Sequence, residues 1–301
     1  MSAEQGVIGS GVERRTGKLK SLFLELWRDK AGFIGMAMIA ALLFMALAAP
    51  LIAPHSPTAQ DLRARLKPPV WDENGTWNHL LGTDNLGRDV LSRVIHGSRV
   101  SLMVGASVVL IAGTFGILLG LIAGYRGGRT DNFIMRWIDT QVAFPGLLIA
   151  LIILAVIGPS MFTVILVLSL NGWMVYGRMT RGAVLSVRQT AYVEAAEVVG
   201  CSGTRVVLRH ILPNLTSPLL TLAILEFARI VLAEAALSFL GMGIQPPATS
   251  WGLDVASGKN YLFRAWWLVT FPGIAISLTV LAINLVASWM RLVSDPQERE
   301  K

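Results

Sequence analysis

Long uncharged, apolar runs alternate with short polar segments along most of the chain. They give six spans, at about 32–53, 100–123, 134–157, 161–175, 215–240 and 268–290. Most approach the ~20 residues that a helix needs to cross the hydrocarbon core of a bilayer. The third and fourth are separated by Gly158-Pro159, which suits a tight turn because proline fixes its own backbone and restricts its predecessor. The fourth has a short apolar part, so its helix is expected to run on through Tyr176 and Arg178. The uncharged run from Ala31 to Ala49 exceeds the ~7–15 residues of a signal-peptide core and reads as a retained first span. The fold class is therefore all-α integral membrane protein with six transmembrane helices.

Composition supports this. Hydrophobic residues make up 53% of the chain and charged residues 15%, against roughly 25% charged in soluble proteins. The net charge of +7 reads as basic loops holding the inner side of a membrane protein, so no nucleic-acid partner is expected. With the N-terminus inside, segments 1–31, 124–133 with Arg136, 176–214 and 291–301 hold 17 of the 26 Lys and Arg residues. The outer segments 54–99 and 241–267 hold 8. That excess gives an N-in, C-in orientation. One cysteine, Cys201, excludes an intrachain disulfide. His55, His79, His96 and His210 show no ligand spacing, so no metal site is expected.

The chain divides into an inner tail (1–31), a first span with an outer loop (32–99), a five-helix core (100–291) containing the inner loop 178–214, and a second inner tail (292–301). The outer loop opens with Pro54, Pro57 and Pro68-Pro69. In it, Val90, Leu91, Val94 and Ile95 fall on one helical face with Arg88, Asp89 and Arg93 elsewhere, the pattern of an interfacial helix lying along the membrane.

The inner loop is not linker-like. Residues 188–199 favour a helix with Glu194 and Glu197 on one face. Gly200 supplies the left-handed backbone of a helix stop. Ser202 is placed to cap a second short helix, 203–210, which Pro213 is expected to break before the next span. Two short helices joined at a glycine make a stiff projecting lever.

Glu194-Ala195-Ala196, Gly200 and then His210-Ile211-Leu212-Pro213 resemble the EAA loop of ABC importer permeases. Further motifs extend the likeness from about residue 30 to 296: Gly82-Thr83-Asp84-Asn85-Leu86-Gly87-Arg88-Asp89 in the outer loop, Phe144-Pro145-Gly146, and Glu234-Ala235-Ala236-Leu237-Ser238-Phe239-Leu240-Gly241. Gln245-Pro246-Pro247, Ser250-Trp251-Gly252 and Phe271-Pro272-Gly273 complete it. Together they are similar to the C-type subunit of dipeptide, oligopeptide and nickel permeases. The C-terminal end departs from the family pattern, with Val286-Ala287-Ser288-Trp289-Met290-Arg291 leading to Asp295-Pro296 where a glycine-aspartate stretch usually precedes Asp-Pro.

The resemblance implies a type I ABC importer permease fold with cytoplasmic coupling helices, in the bacterial cytoplasmic membrane. Its partners would be a second permease forming a heterodimer, two ATPase subunits, an extracytoplasmic substrate-binding protein and membrane lipid. Glu194, Ala195, Ala196, Glu197, Gly200, His210, Leu212 and Pro213 would form the ATPase-coupling loop. Dipeptides or short oligopeptides are the first cargo; nickel, glutathione and other small solutes are carried by close relatives. No cofactor is expected on this chain, with ATP and Mg on the partner ATPases.

No enzyme motif contradicts this. Gly11 to Lys18 is one residue too long for a phosphate loop, and Leu19 follows the lysine. No nucleophile elbow or zinc-hydrolase motif occurs, and no catalytic residue is assigned. An ion-coupled secondary transporter would show inverted repeats, which the sequence lacks; a membrane enzyme or scaffold is the other rival class.

Glu226, Arg229 and Glu234 lie in the fifth expected span, where each charge costs about 2.5–3.5 kcal/mol at mid-membrane. Glu226 and Arg229 have the spacing to pair on one face. Two readings stand: a polar contact to the translocation path or partner permease, or a helix-packing pair. Glu234, nearer the outer end, reads as reaching water. Pro145 is a hinge candidate, while Pro218 and Pro272 read as ordinary prolines at span ends.

Overall fold

The computed structural model describes Trp27 and residues 29–294. The tail residues 1–26 and 295–301, including the Gly11–Lys18 stretch and Asp295-Pro296, lie outside the described residues. Among the described residues the secondary structure is helical, apart from an isolated bridge between Thr83 and Asp89.

Helix α1 (Lys30–Leu47) starts at Asp29, whose carboxylate accepts from the amides of Ala31 and Gly32 at 3.0 and 3.2 Å. After a break at Ala48 comes the single turn α2 (Ala49–Ile52). Residues 53–89 then lead to α3 (Val90–Arg126), followed by α4 (Gly128–Val142), α5 (Gly146–Ile157) and α6 (Met161–Arg188). The connection after α6 contains α7 (Ala191–Val198) and α8 (Gly203–Val206). Then come α9 (Leu212–Phe239), α10 (Trp251–Gly258) and α11 (Trp267–Ser294).

Four of these helices, α1, α3, α6 and α11, are long and apolar enough to cross a membrane. A fifth span results if α4 and α5 count as one, broken by 81° between them. Thus the expected span at 134–157 is a bent pair and not one straight helix. The expected span at 215–240 falls on α9, a 28-residue helix carrying Glu226, Arg229 and Glu234. The fourth span continues past Arg178 to Arg188, as its composition suggested.

Small residues explain how α3 and α6 pack. Gly116, Gly120 and Gly124 recur every four residues on one face of α3. A Cβ at Gly116 would lie 2.3 Å from the carbonyl oxygen of Trp173, and one at Gly120 would lie 2.6 Å from that of Gly177. Gly124 has the same relation to the Val184 side chain at 2.7 Å. Such small-residue ridges let backbones approach where lipid supplies no hydrophobic drive. On the other side, Gly32 and Gly35 of α1 receive Trp289 and Leu285 of α11, with a Gly32 Cβ only 2.6 Å from the indole.

Three expectations need correction. Residues 90–95 are not a separate interfacial helix but the first turns of α3, capped by Asp89 through the Ser92 amide at 2.8 Å. Their apolar face packs on protein: Val90 joins Trp267 and Leu268, and Val94 contacts the Trp251 cluster. Pro213 does not break the chain before the fifth span. It sits in the first turn of α9, which α8 reaches through a π-helical turn, Val207–Ile211. Pro218 and Pro272 lie inside α9 and α11 and not at their ends.

Candidate functional site

The connection between α6 and α9 forms an elbow. Helix α7 ends in a left-handed Gly200, φ +85°. The Gly200 amide donates to the Glu197 carbonyl at 3.0 Å and the Cys201 amide to the Ala196 carbonyl at 3.1 Å. These paired bonds form a Schellman motif, which satisfies the orphan carbonyls at the helix end. Ser202 occupies the N-cap position of α8 but makes no side-chain capping bond.

One side of the elbow is rooted in the core. Val193, Val206 and Ile211 are fully buried in a cluster with Leu121 of α3, Val184 of α6 and Leu215 of α9. Ala196, Cys201 and Leu212 pack at its edge. Polar ties reinforce it. Tyr125 donates its hydroxyl to Glu197 at 3.1 Å, and the Arg188 guanidinium lies 5.3 Å from the Tyr125 ring centre while donating to the Tyr125 carbonyl at 2.9 Å. Asn214 donates to the Tyr192 hydroxyl at 2.9 Å and to the His210 carbonyl at 2.6 Å. His210 itself lies in the π-turn.

The other side is bare. Glu194 and Ala195 are exposed, and Val198 and Val199 at the tip are 87% and 83% exposed. Pro213 is also exposed. Apolar tips on a short helix that is anchored from behind have the character of a docking surface. Of the residues singled out from the sequence, Glu194 and Ala195 lie on the bare side and Ala196 at the core edge; Val198 and Val199 were not singled out, since their exposure becomes visible only once Val193 is seen to be the buried anchor.

A second group gathers where α5, α6 and α9 meet. Pro145 occupies the N-cap position of α5, at the break that separates it from α4. Next to it, Gly146, Asn171, Arg178 and Arg229 line an open cavity of ≈ 500 Å³. Glu226, Arg229 and Asn171 also border an adjoining space of ≈ 240 Å³. Arg229 pairs with Glu226 at 3.3 Å, its own side chain 66% exposed and that of Glu226 only 10%. The amide oxygen of Asn171 is buried without a hydrogen-bond partner. Glu226 and Arg229 thus come together at these spaces, whose shared lining includes Gly146, the residue after Pro145.

Glu234 does not join them. It is 1% exposed and accepts from Ser238 at 2.8 Å and Ser250 at 2.9 Å. The expectation that it reaches water is corrected, because the 240–250 connection folds back over it.

The motif at residues 82–89 is a largely buried knot. Thr83 accepts from the Lys67 amide at 2.9 Å, and its carbonyl accepts from the Trp267 indole at 3.1 Å. Asp84 accepts from the amides of Leu86 and Arg88 and from the Arg88 guanidinium at 2.6 Å. Gly82 and Gly87 adopt φ +83° and +74°, and a Cβ on Gly87 would collide with the Asp61 carbonyl. Asp89 caps α3. Beside the knot, Arg93 donates to Asp254 of α10 through Nε at 2.9 Å and also through a terminal nitrogen. Burial pushes the Asp254 carboxyl above the ordinary aspartate value, and Arg93 pulls it back. The knot therefore fixes the start of α3 against α10 and α11.

Residues 116–300, which include the elbow, the cavity and α10, match the family model described as binding-protein-dependent transport system inner membrane component. The chain belongs to that family. It is an inner-membrane transport permease of many apolar helices, not a member of an enzyme family. Residues 19–69 match the N-terminal TM domain of oligopeptide transport permease C. Among curated relatives, the chain is 45% identical over 280 residues to the dipeptide transport system permease protein DppC of Escherichia coli K12, covering 92% of this chain and 93% of the relative. It is 42% identical over 279 residues to the di/tripeptide transport system permease protein DppC of Pseudomonas aeruginosa, covering 93% and 92%. Against the dipeptide transport system permease protein DppC of Haemophilus influenzae it is 36% identical over 285 residues, covering 93% and 97%.

Proposed function

We propose that this chain is the C-type permease subunit of an ATP-driven importer of dipeptides, with α1, α3, α4–α5, α6, α9 and α11 as six spans and both termini inside. In this reading it pairs with a second, different permease. Two ATPase subunits dock on the inner side, and an extracytoplasmic binding protein delivers cargo on the outer side. The names of the relatives support the dipeptide assignment, and the +7 net charge with its inner-loop bias supports the orientation.

The observation that carries the reading is the elbow: a helix anchored by Val193, stopped at Gly200 and apolar at its exposed tip. A groove on an ATPase subunit would receive Glu194, Ala195, Val198 and Val199. Closure of the ATPases would push the elbow, and Ile211 would transmit the push through the π-turn into α9. Arg229 on α9 would then move with the cavity wall. Its exposed guanidinium is suited to the carboxylate that every dipeptide carries.

The test is charge insertion at Ala195. Ala195→Asp should abolish dipeptide uptake and co-purification of the ATPases while leaving membrane insertion intact. Normal uptake by this variant would reject the reading. Uptake of nickel or glutathione, with none of dipeptide, would reject the cargo but not the coupling.

A further inference from the structure

Two histidines far apart in sequence meet beside the cap of α3. His55 follows the end of α2, His79 lies in the outer segment, and Asp89 caps α3. The Nδ1 of His79 is 3.0 Å from Oδ1 of Asp89, and the Nδ1 of His55 is 3.9 Å from Oδ2. One donor atom from each of the three residues lies within 4.8 Å of the others. The imidazoles lie with ring centres 4.9 Å apart. His79 and Asp89 are buried.

Each donor is held in place by a bond that does not use its free lone pair. The His55 amide donates to the Ser92 hydroxyl at 3.0 Å, and the His79 amide to the Thr76 carbonyl at 3.0 Å. Oδ2 of Asp89 accepts from the Ser92 amide, which leaves Oδ1 turned toward His79. A hydrogen bond between His79 and Asp89 accounts for that pair alone. It leaves Nδ1 of His55 buried with no hydrogen-bond partner, a costly state for a polar atom.

We propose that His55, His79 and Asp89 form a binding site for a divalent transition cation of the zinc class. Two imidazole nitrogens and one carboxylate oxygen suit zinc; magnesium and calcium prefer all-oxygen sites. Metal–ligand bonds of about 2.0–2.2 Å in a tetrahedron place donor atoms about 3.3–3.5 Å apart. The three donors reach that spacing by side-chain shifts of about 1 Å or less. The fourth position falls to water, entering past His55, whose side chain is 31% exposed. The ion binds neutral imidazoles and satisfies the orphan nitrogen of His55. It staples the end of the first span, the outer segment and the start of α3 to one another.

The test uses the importer complex containing this chain, stripped with chelator and kept free of nucleotide. Zinc is added, dialysed and counted, in the parent and in His55→Gln and Asp89→Asn complexes. Asparagine still caps a helix, so the second variant keeps the fold while weakening the ligand. The expected result is one zinc more per copy of this chain in the parent, and at least roughly tenfold weaker binding in both variants. Cobalt in place of zinc should give tetrahedral visible absorption bands in the parent, and these should be lost in His55→Gln. Equal zinc in parent and variants, or no zinc retained by any complex, would overturn the proposal.

Discussion

Replacing Gly200 separates backbone strain from steric crowding at the elbow. A Cβ built at Gly200 meets nothing within 4 Å, while the backbone sits at φ +85°. Side chains are therefore limited there by conformation alone. The left-handed region costs an L-residue about 1–2 kcal/mol, less for asparagine and more when the residue is β-branched. Gly200→Asn should be mild, Gly200→Ala should cost about 1 kcal/mol, and Gly200→Val at least about 2 kcal/mol. The strain falls on the two Schellman bonds, because they are what hold the turn. A loss of 1–2 kcal/mol raises the open population of the elbow about 5- to 30-fold. Hydrogen exchange at the Gly200 and Cys201 amides, followed by mass spectrometry of the purified complex, reads that opening. Exchange should rise in the order Asn, Ala, Val, and dipeptide uptake per ATP hydrolysed should fall in the same order. Equal exchange across the series, or acceleration by asparagine as large as by valine, would refute the conformational argument.

Other outcomes follow from the packing. Gly120→Val drives a side chain into the Gly177 carbonyl and Thr180, so thermal melting of the complex should show a loss of about 1–3 kcal/mol. Arg93→Ala leaves Asp254 buried without its main partner, and a loss of about 3–5 kcal/mol is expected. The double substitution Arg93→Met with Asp254→Leu should recover most of it, as read from the same melts. Because it takes the partner from the buried Glu226 carboxylate, Arg229→Ala should lower melting in the same assay. It should raise the apparent KM for dipeptide uptake roughly ten- to hundredfold, the worth of one charge-assisted bond to a carboxylate.

The elbow was readable in the sequence because its determinants are local. A glycine stop after a helix-forming stretch needs no distant partner to be recognised. The π-turn at Val207–Ile211 was not readable, since a shift in hydrogen-bond register leaves no mark on residue type, and Pro213 looked like a breaker when it is a tolerated first-turn proline. The face of Val90, Leu91, Val94 and Ile95 had the period of a helix on a membrane surface. Periodicity reports an apolar face but not whether lipid or Trp251 covers it. Glu234 looked exposed because Ser250, which bonds to it, lies in the next connection. That His55 and His79 meet was not readable in their spacing, because the fold, and not a local repeat, brings them together.

The proposed function makes the exposed tip of the elbow the point where ATP hydrolysis becomes movement. Val198 and Val199 contribute almost nothing to the buried core, so Val198→Asp with Val199→Asp should leave the chain folded and its pairing with the second permease intact. The direct measurement is ATP-driven dipeptide uptake by proteoliposomes containing the importer and its binding protein, with ATP hydrolysis followed in parallel. Loss of uptake in the double variant, with ATPase release or unstimulated hydrolysis, is the predicted result. Uptake at the parent rate would contradict the elbow as the coupling element.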